Sequence, residues 1–145
     1  MKLIGYNDTV KHPVLITYAS LAHFMYALSF AWIIYPLLDK KNSFVKGLIV
    51  YNVLHLLYEL KDYMISYNKN VSDYLKKVTD NPELIQWSTE NSFENSVADT
   101  VVANLGYILG YYLSFKMGNI LGKIIGIILL FTTIIFSILY STKLD

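Results

Sequence analysis

Long hydrophobic runs separated by short polar segments dominate the pattern of this chain. Four runs are rich in apolar residues and long enough for a helix of about 20 residues, the length that crosses the hydrocarbon core of a bilayer. The pattern predicts helices at about 13–38, 44–67, 95–115 and 119–141, and a polar loop at 68–94 with short interfacial helices.

Composition points the same way. Hydrophobic residues make up 54% of the 145 residues and charged residues only 16%, which is unusual for a soluble domain. The sequence therefore predicts one all-α domain at 1–145, an integral membrane bundle of four transmembrane helices.

The distribution of lysines predicts an orientation. Lysines flank the short connections, whereas acidic residues outnumber lysines in the long loop. Cytoplasmic loops of membrane proteins carry an excess of basic residues. We therefore expect a multi-pass protein with both termini and the long loop on the non-cytoplasmic side.

Charge and motifs exclude several function classes. The formal net charge is +1 and there is no P-loop or GxGxxG pattern, so we expect no nucleic-acid partner. The chain has no cysteine, which rules out disulfides and a thiol nucleophile.

The second predicted helix carries a narrow polar stripe. At about 100° per residue its polar side chains fall within an arc of roughly 80°. Lipid cannot satisfy such a stripe, so it must face protein or water. Its members are Asn52, His55, Glu59 and Asp62.

The third predicted helix has a similar face. Asn95 and Asp99 share it, and Asn91 joins them if the helix reaches back that far. The face continues to Gly106 and Gly110, a small-xxx-small surface that lets a neighbouring backbone approach closely.

The two polar faces are expected to meet. We predict that Asp99 faces the second helix across a small polar pocket that contains His55 and Glu59. His23, in the first predicted helix, either adds a wall to this pocket or is a hydrogen-bonded interior histidine, the interpretation we prefer. For Asn104 we expect a hydrogen bond to the fourth helix.

Each of these groups also has a structural interpretation. Asp62 and Asp99 lie near predicted helix ends and could reach water, and a negative charge is favourable in the first turn of a helix. His55 and Glu59, four residues apart, could be a buried hydrogen-bonded pair that locks two helices together.

A histidine beside carboxylates in a partly dry pocket supplies a general acid and base. We expect Glu59 to act as acid or base, Asp99 as its charge partner or a metal ligand, and His55 as proton carrier. No HExxH spacing is present, so no cofactor is expected, with a divalent metal as the alternative. The predicted binding residues are Asn52, Asp62, Asn91 and Asn95.

The region 58–111 resembles the VanZ-like family of small helical membrane proteins. The resemblance rests on Glu59, followed by a polar loop and then Asp99, Asn104, Gly106 and Gly110. It departs from the family pattern in lacking an arginine and in the register of Asn104. It implies a membrane bundle of four or five helices, in a family known in part for lowering bacterial susceptibility to glycopeptide antibiotics.

Taken together, these features predict a protein that binds or modifies a lipid or a lipid-linked headgroup, with membrane lipid as its partner and self-association as a further expectation. Two alternatives stay open. One is a non-catalytic membrane or envelope component in which polar stripes fix helix register. The other is a small, oligomeric conductor of protons or cations.

Overall fold

The computed structural model describes residues 1–5, 8, 11–34, 43–79, 92–117 and 119–141. This part of the chain contains five helices and two short strands. The helices lie close to the predicted positions, but the strands make the all-α prediction wrong in detail. The elements are β1 Lys2–Ile4, β2 Val14–Ile16, α1 Tyr18–Ile34, α2 Ser43–Tyr67, α3 Lys69–Thr79, α4 Phe93–Met117 and α5 Asn119–Ser141.

The prediction of a four-span membrane bundle is wrong. Among the residues that the structure describes, none of the helices combines the length and the apolar character that crossing a membrane requires. The helix α1 has only 17 residues, and α2 includes Lys46, Glu59, Lys61 and Asp62. The same finding contradicts the predicted transmembrane helices, the multi-pass localisation and the placement of the termini. Counting apolar residues over long runs gave too little weight to the charged positions inside them.

The two strands form a small parallel sheet at the amino terminus. Lys2 pairs with Val14 and Ile4 pairs with Ile16. The carboxylate of Asp8, between the strands, is buried and accepts a hydrogen bond of 2.6 Å from the backbone N–H of Val14. Strands of three residues are too short to give a recognisable alternation, so the sequence pattern missed them.

Asp8 also anchors the start of α4. It accepts hydrogen bonds from the backbone N–H of Ser92 and, at 2.8 Å, from the Ser92 hydroxyl. Ser92 in turn caps the helix, since its Oγ accepts a hydrogen bond of 3.2 Å from the N–H of Asn95. This network fixes where α4 begins relative to the sheet.

The closest helix pair is α1 with α4, and two glycines make it possible. A Cβ added to Gly106 would collide with the backbone carbonyl oxygen of Phe24, and one added to Gly110 with that of Leu28. The predicted small-xxx-small surface therefore packs against α1, whereas the sequence predicts that the face bearing Asp99 packs against the second helix.

The buried core lies where α1, α2 and α4 meet. Small residues on α1 let large aromatic side chains from the other two helices fill the interior. The core cluster consists of Ala27, Ala31, Tyr51, Ala103 and Tyr107.

Outside this core, large apolar side chains are exposed on several helices. Examples from the described residues are Leu57 on α2, Val101 on α4 and Phe131 on α5. Extended apolar surfaces of this kind mark sites of interaction. The expectation that the protein associates with itself stays a prediction, which its oligomeric state in solution would test.

Candidate functional site

Three helices bring ionisable side chains together at His23. Its Nε2 atom, on α1, lies 3.7 Å from Oε1 of Glu59 on α2 and 3.6 Å from Oδ2 of Asp99 on α4. Because both oxygens lie within 3.7 Å of the same nitrogen atom, Oε1 of Glu59 and Oδ2 of Asp99 are less than twice that distance apart. The imidazole of His23 lies within reach of both acids and connects them.

His55 completes this group, which we call the His/acid cluster: His23, His55, Glu59 and Asp99. The Nε2 atom of His55 lies 3.8 Å from Oε1 of Glu59, one helical turn away. The two imidazole rings meet edge to face, with centroids 5.0 Å apart. Both histidines therefore approach the same carboxylate.

Thr100 holds His55 in place. Its Oγ1 lies 3.1 Å from Nε2 of His55 and donates a hydrogen bond of 2.8 Å to the carbonyl oxygen of Ser96. Because the hydroxyl proton is used toward Ser96, His55 acts as the donor to Thr100. In this arrangement Nε2 of His55 carries the proton.

Asp99 is the most deeply buried acid of the cluster, with 1% of its surface exposed. Burial, together with the nearby carboxyl groups of Glu59, Asp8 and Asp62, raises its pKa to about 7, and a hydrogen bond from Ser20 opposes this shift. The Ser20 hydroxyl donates to Oδ1 of Asp99 and accepts a bond of 2.9 Å from the N–H of Thr17.

The two histidines are held neutral. Burial, together with the nearby His55 and Lys61, lowers the pKa of His23 to about 3. Burial also lowers the pKa of His55. Both rings therefore keep a lone pair at neutral pH, the form that accepts a proton or binds a metal ion.

A cavity of about 490 Å³ opens beside the cluster. His23 and His55 form part of its wall, and Leu54 of α2 and Ser137 of α5 form other parts. Tyrosine and phenylalanine side chains form a large part of the wall, so the cavity offers apolar contacts next to a polar end. The aromatic residues are Tyr18, Tyr26, Tyr51, Tyr58 and Phe136.

The structure brings together the three residues predicted to carry the chemistry, Glu59, Asp99 and His55. The predicted binding residues that the structure describes, Asn52, Asp62 and Asn95, have other contacts. The side chain of Asn95 donates a hydrogen bond of 3.1 Å to the carbonyl oxygen of Leu15 in β2. Asn91 lies outside the described residues.

Asp62 contacts Lys61, its neighbour in the chain. It is buried, yet its Oδ1 lies 2.7 Å from Nζ of Lys61, and that ammonium group sits 3.9 Å from the ring centroid of Tyr58. Burial raises the pKa of Asp62, while Lys61 lowers it. The charge of Asp62 also helps to raise the pKa of Asp99, so Asp62 influences the cluster electrostatically.

Asn52 forms a reciprocal amide pair with Asn104. The two bonds between α2 and α4 measure 2.9 and 3.0 Å, and each amide nitrogen also donates to a carbonyl oxygen of its own helix. The expected bond from Asn104 to the last helix was wrong. The pair links α2 to α4, and a ligand-binding role for Asn52 stays a prediction.

We expect this amide pair to be energetically coupled. Asn52→Ala and Asn104→Ala should each lower the free energy of unfolding by about 1 to 2 kcal/mol, because each leaves a half-buried amide without its partner. The double variant should lose less than the sum, with a coupling energy of about 1 kcal/mol in urea unfolding. Asn52→Ala combined with Val101→Ala, an exposed position on α4, is the additive control, and additivity in the amide pair would contradict the assignment.

Sequence reasoning undervalued α1. From the sequence, His23 is expected to be a hydrogen-bonded interior histidine, whereas the structure places it between Glu59 and Asp99, with Ser20 bonded to Asp99. A signal existed, because Ser20, His23, Ala27 and Ala31 fall on one side of the helix at 100° per residue. A stripe of small and polar residues within an otherwise bulky apolar run indicates a face that packs closely on another helix.

No protein-family model, curated protein or solved structure matches this chain. The resemblance to the VanZ-like family therefore stays a prediction. The residues that carry it, among them Glu59, Asp99, Gly106 and Gly110, lie where α1 meets α2 and α4.

Proposed function

We propose that the protein binds a lipid or a lipid-linked molecule, with the headgroup at the His/acid cluster and the chain in the adjoining cavity. The observation that carries the proposal is the continuity of the two regions. His23 and His55 belong both to the cluster and to the wall of the cavity. An amphipathic ligand matches a site that is apolar along its length and polar at one end.

The charge of the cluster favours a cationic headgroup in the metal-free protein. The two imidazoles are neutral, so any charge of the metal-free cluster is the negative charge of the Glu59 and Asp99 carboxyl groups, and Asp99, with a pKa of about 7, is ionised above that pH. The tyrosine-rich wall adds aromatic faces, which attract ammonium groups. A quaternary or primary amine on an alkyl chain fits both features.

The test compares two ligands that share a chain. We expect dodecyltrimethylammonium, kept below its micelle concentration in a buffer with chelator, to bind at least about tenfold more tightly than dodecanol, since a desolvated cation–π contact and a carboxylate together contribute more than 1.4 kcal/mol. Titration calorimetry measures both affinities. Glu59→Gln should remove this preference while preserving the fold, as judged by circular dichroism.

Position 54 tests the cavity. Leu54→Trp should weaken the binding of both ligands at least about tenfold, because the larger side chain occupies cavity space in which we propose that the alkyl chain of the ligand lies. Leu57→Trp is the matched control, since Leu57 lies on the same helix, is 58% exposed against 53% for Leu54 and does not line the cavity. Equal effects of the two substitutions would contradict the proposal.

A purely structural role for the cluster predicts a different result. In that case Glu59→Gln would change stability without changing any binding preference. Chemical modification of the headgroup, with Glu59 as acid or base, Asp99 as its charge partner and His55 as proton carrier, stays a prediction.

A further inference from the structure

We propose that His23, His55 and Glu59 form a binding site for a divalent transition metal ion, of which Zn²⁺ is the best match. One ligand atom from each residue lies within 4.8 Å of the other two. Two histidine nitrogens and one carboxylate oxygen are a ligand set that zinc enzymes use, with the fourth position open to water or substrate. The site goes beyond the proposed function and does not depend on it.

The distances are close to those that a metal requires. Bonds of about 2.0 to 2.1 Å in tetrahedral geometry place ligand atoms about 3.3 Å apart. Oε1 of Glu59 lies 3.7 Å from Nε2 of His23 and 3.8 Å from Nε2 of His55. Contraction by a few tenths of an ångström brings these pairs to the ideal separation, and the two histidines need a somewhat larger adjustment.

The surroundings supply what a metal site needs beyond its ligands. Oδ2 of Asp99 lies 3.6 Å from Nε2 of His23, where it can accept a hydrogen bond from a metal-bound water, and Ser20 holds the other oxygen of Asp99. Both histidines line the cavity. The open coordination position is therefore next to the space for a ligand.

Metal binding has one identifiable competitor. The Nε2 atom of His55 is hydrogen-bonded to Thr100 at 3.1 Å. To bind a metal through Nε2, His55 must move its proton to Nδ1 and give up this bond. The hydrogen bond to Thr100 therefore opposes metal binding.

A metal changes which headgroup the site selects, and this consequence rests on the proposed function. A divalent cation reverses the local charge, so an anionic headgroup such as a phosphate monoester becomes the preferred partner of the open position. Dodecyl phosphate should then bind at least about tenfold more tightly with Zn²⁺ than with chelator, whereas dodecyltrimethylammonium should show the opposite dependence.

The primary experiment measures the metal itself. Chain without a histidine tag is stripped with chelator and titrated with Zn²⁺ by calorimetry, and we expect one equivalent to bind. His23→Gln, His55→Gln and Glu59→Gln should each weaken the affinity at least about tenfold. Matched controls are His12→Gln and Glu94→Gln, at exposed positions outside the cluster, and both should bind like the unchanged chain.

A spectroscopic measurement keeps the test independent of how the variants fold. Co²⁺ replaces Zn²⁺ in the unchanged chain, and a tetrahedral site should give strong visible absorption that Zn²⁺ abolishes. Thr100→Val removes the competing hydrogen bond, so its affinity should equal or exceed that of the unchanged chain. A loss in Thr100→Val as large as in the ligand variants would contradict the proposed coordination.

Three results would overturn the metal site. They are less than one equivalent of bound Zn²⁺ in the unchanged chain, equal losses in His12→Gln and the ligand variants, or a Co²⁺ spectrum without tetrahedral character. None of these results bears on the proposed binding of a ligand in the cavity, because dodecyltrimethylammonium binding is measured in the presence of chelator. The two proposals can therefore fail separately.

Discussion

Asp99→Asn is expected to raise the free energy of unfolding at pH 8 by on the order of 3 kcal/mol in chelator-treated protein. The carboxyl group titrates near pH 3.8 in the unfolded chain and near 7 in the folded one. Folded protein therefore holds the proton more tightly, and stability falls as pH rises from about 4 to about 7. Asparagine keeps an oxygen that accepts the Ser20 hydrogen bond and carries no charge at any pH.

The decisive measurement is how the difference in free energy of unfolding between Asp99→Asn and the unchanged protein depends on pH. Urea unfolding of both proteins from pH 4 to pH 8.5 should show nearly equal stability at the acid end and a difference that reaches its plateau above pH 7. Other titrating groups around Asp99, namely His23, Glu59, Asp62 and Asp8, are present in both proteins. Glu94→Gln removes an exposed charge from the same helix and should show no such trend. A difference that is constant with pH, or a loss of stability in the variant, would contradict the raised pKa of Asp99.

Gly106→Ala is expected to lower the free energy of unfolding by about 2 kcal/mol or more. The added Cβ would meet the backbone carbonyl of Phe24, which cannot move aside as a side chain can. Helix α1 must then shift away from α4, and His23 and Ser20 would move away from Asp99 with it. Chemical unfolding measures the loss, and calorimetry should show weakened binding of dodecyltrimethylammonium.

Whether Gly106→Ala lowers or raises the free energy of unfolding shows which effect is larger, the steric contact of α4 with α1 or the higher helix propensity of alanine. In a helix without a close neighbour, replacing glycine by alanine stabilises by about 1 kcal/mol. A more stable Gly106→Ala variant would therefore contradict the packing of α4 on α1. Leu105→Ala, at the exposed neighbouring position, should change stability by about 0.5 kcal/mol or less.

Periodicity located the helices and one face of the site. The stripe with His55, Glu59 and Asp62 on α2 is buried, and Gly106 and Gly110 mark a close helix contact. These features follow from local spacing, because residues three and four apart share a helix face. Which helix packs against which face does not follow from spacing, and so the contact with α1 was missed.

The remaining misses have specific causes. The strands β1 and β2 have three residues each and depend on Asp8, which is remote in sequence from its partner Ser92. Asn52 and Asn95 share helix faces with the acids, yet Asn52 pairs with Asn104 on α4 and Asn95 donates to the carbonyl oxygen of Leu15 in β2. Hydropathy averaged over long runs predicts membrane spans because the few buried polar groups, such as Glu59, Asp62 and Asp99, are outnumbered by apolar residues in the same run.

The most direct test of the central claim is to locate a bound headgroup relative to the histidines. Dodecyltrimethylammonium is added to chelator-treated protein, and intermolecular nuclear Overhauser effects are recorded from its N-methyl protons. With three histidines in the chain, the ring signals can be assigned by single substitutions. We predict contacts to the rings of His23 and His55 and none to His12. Contacts confined to the exposed apolar residues of α2 and α4, such as Leu57 and Val101, would contradict the account.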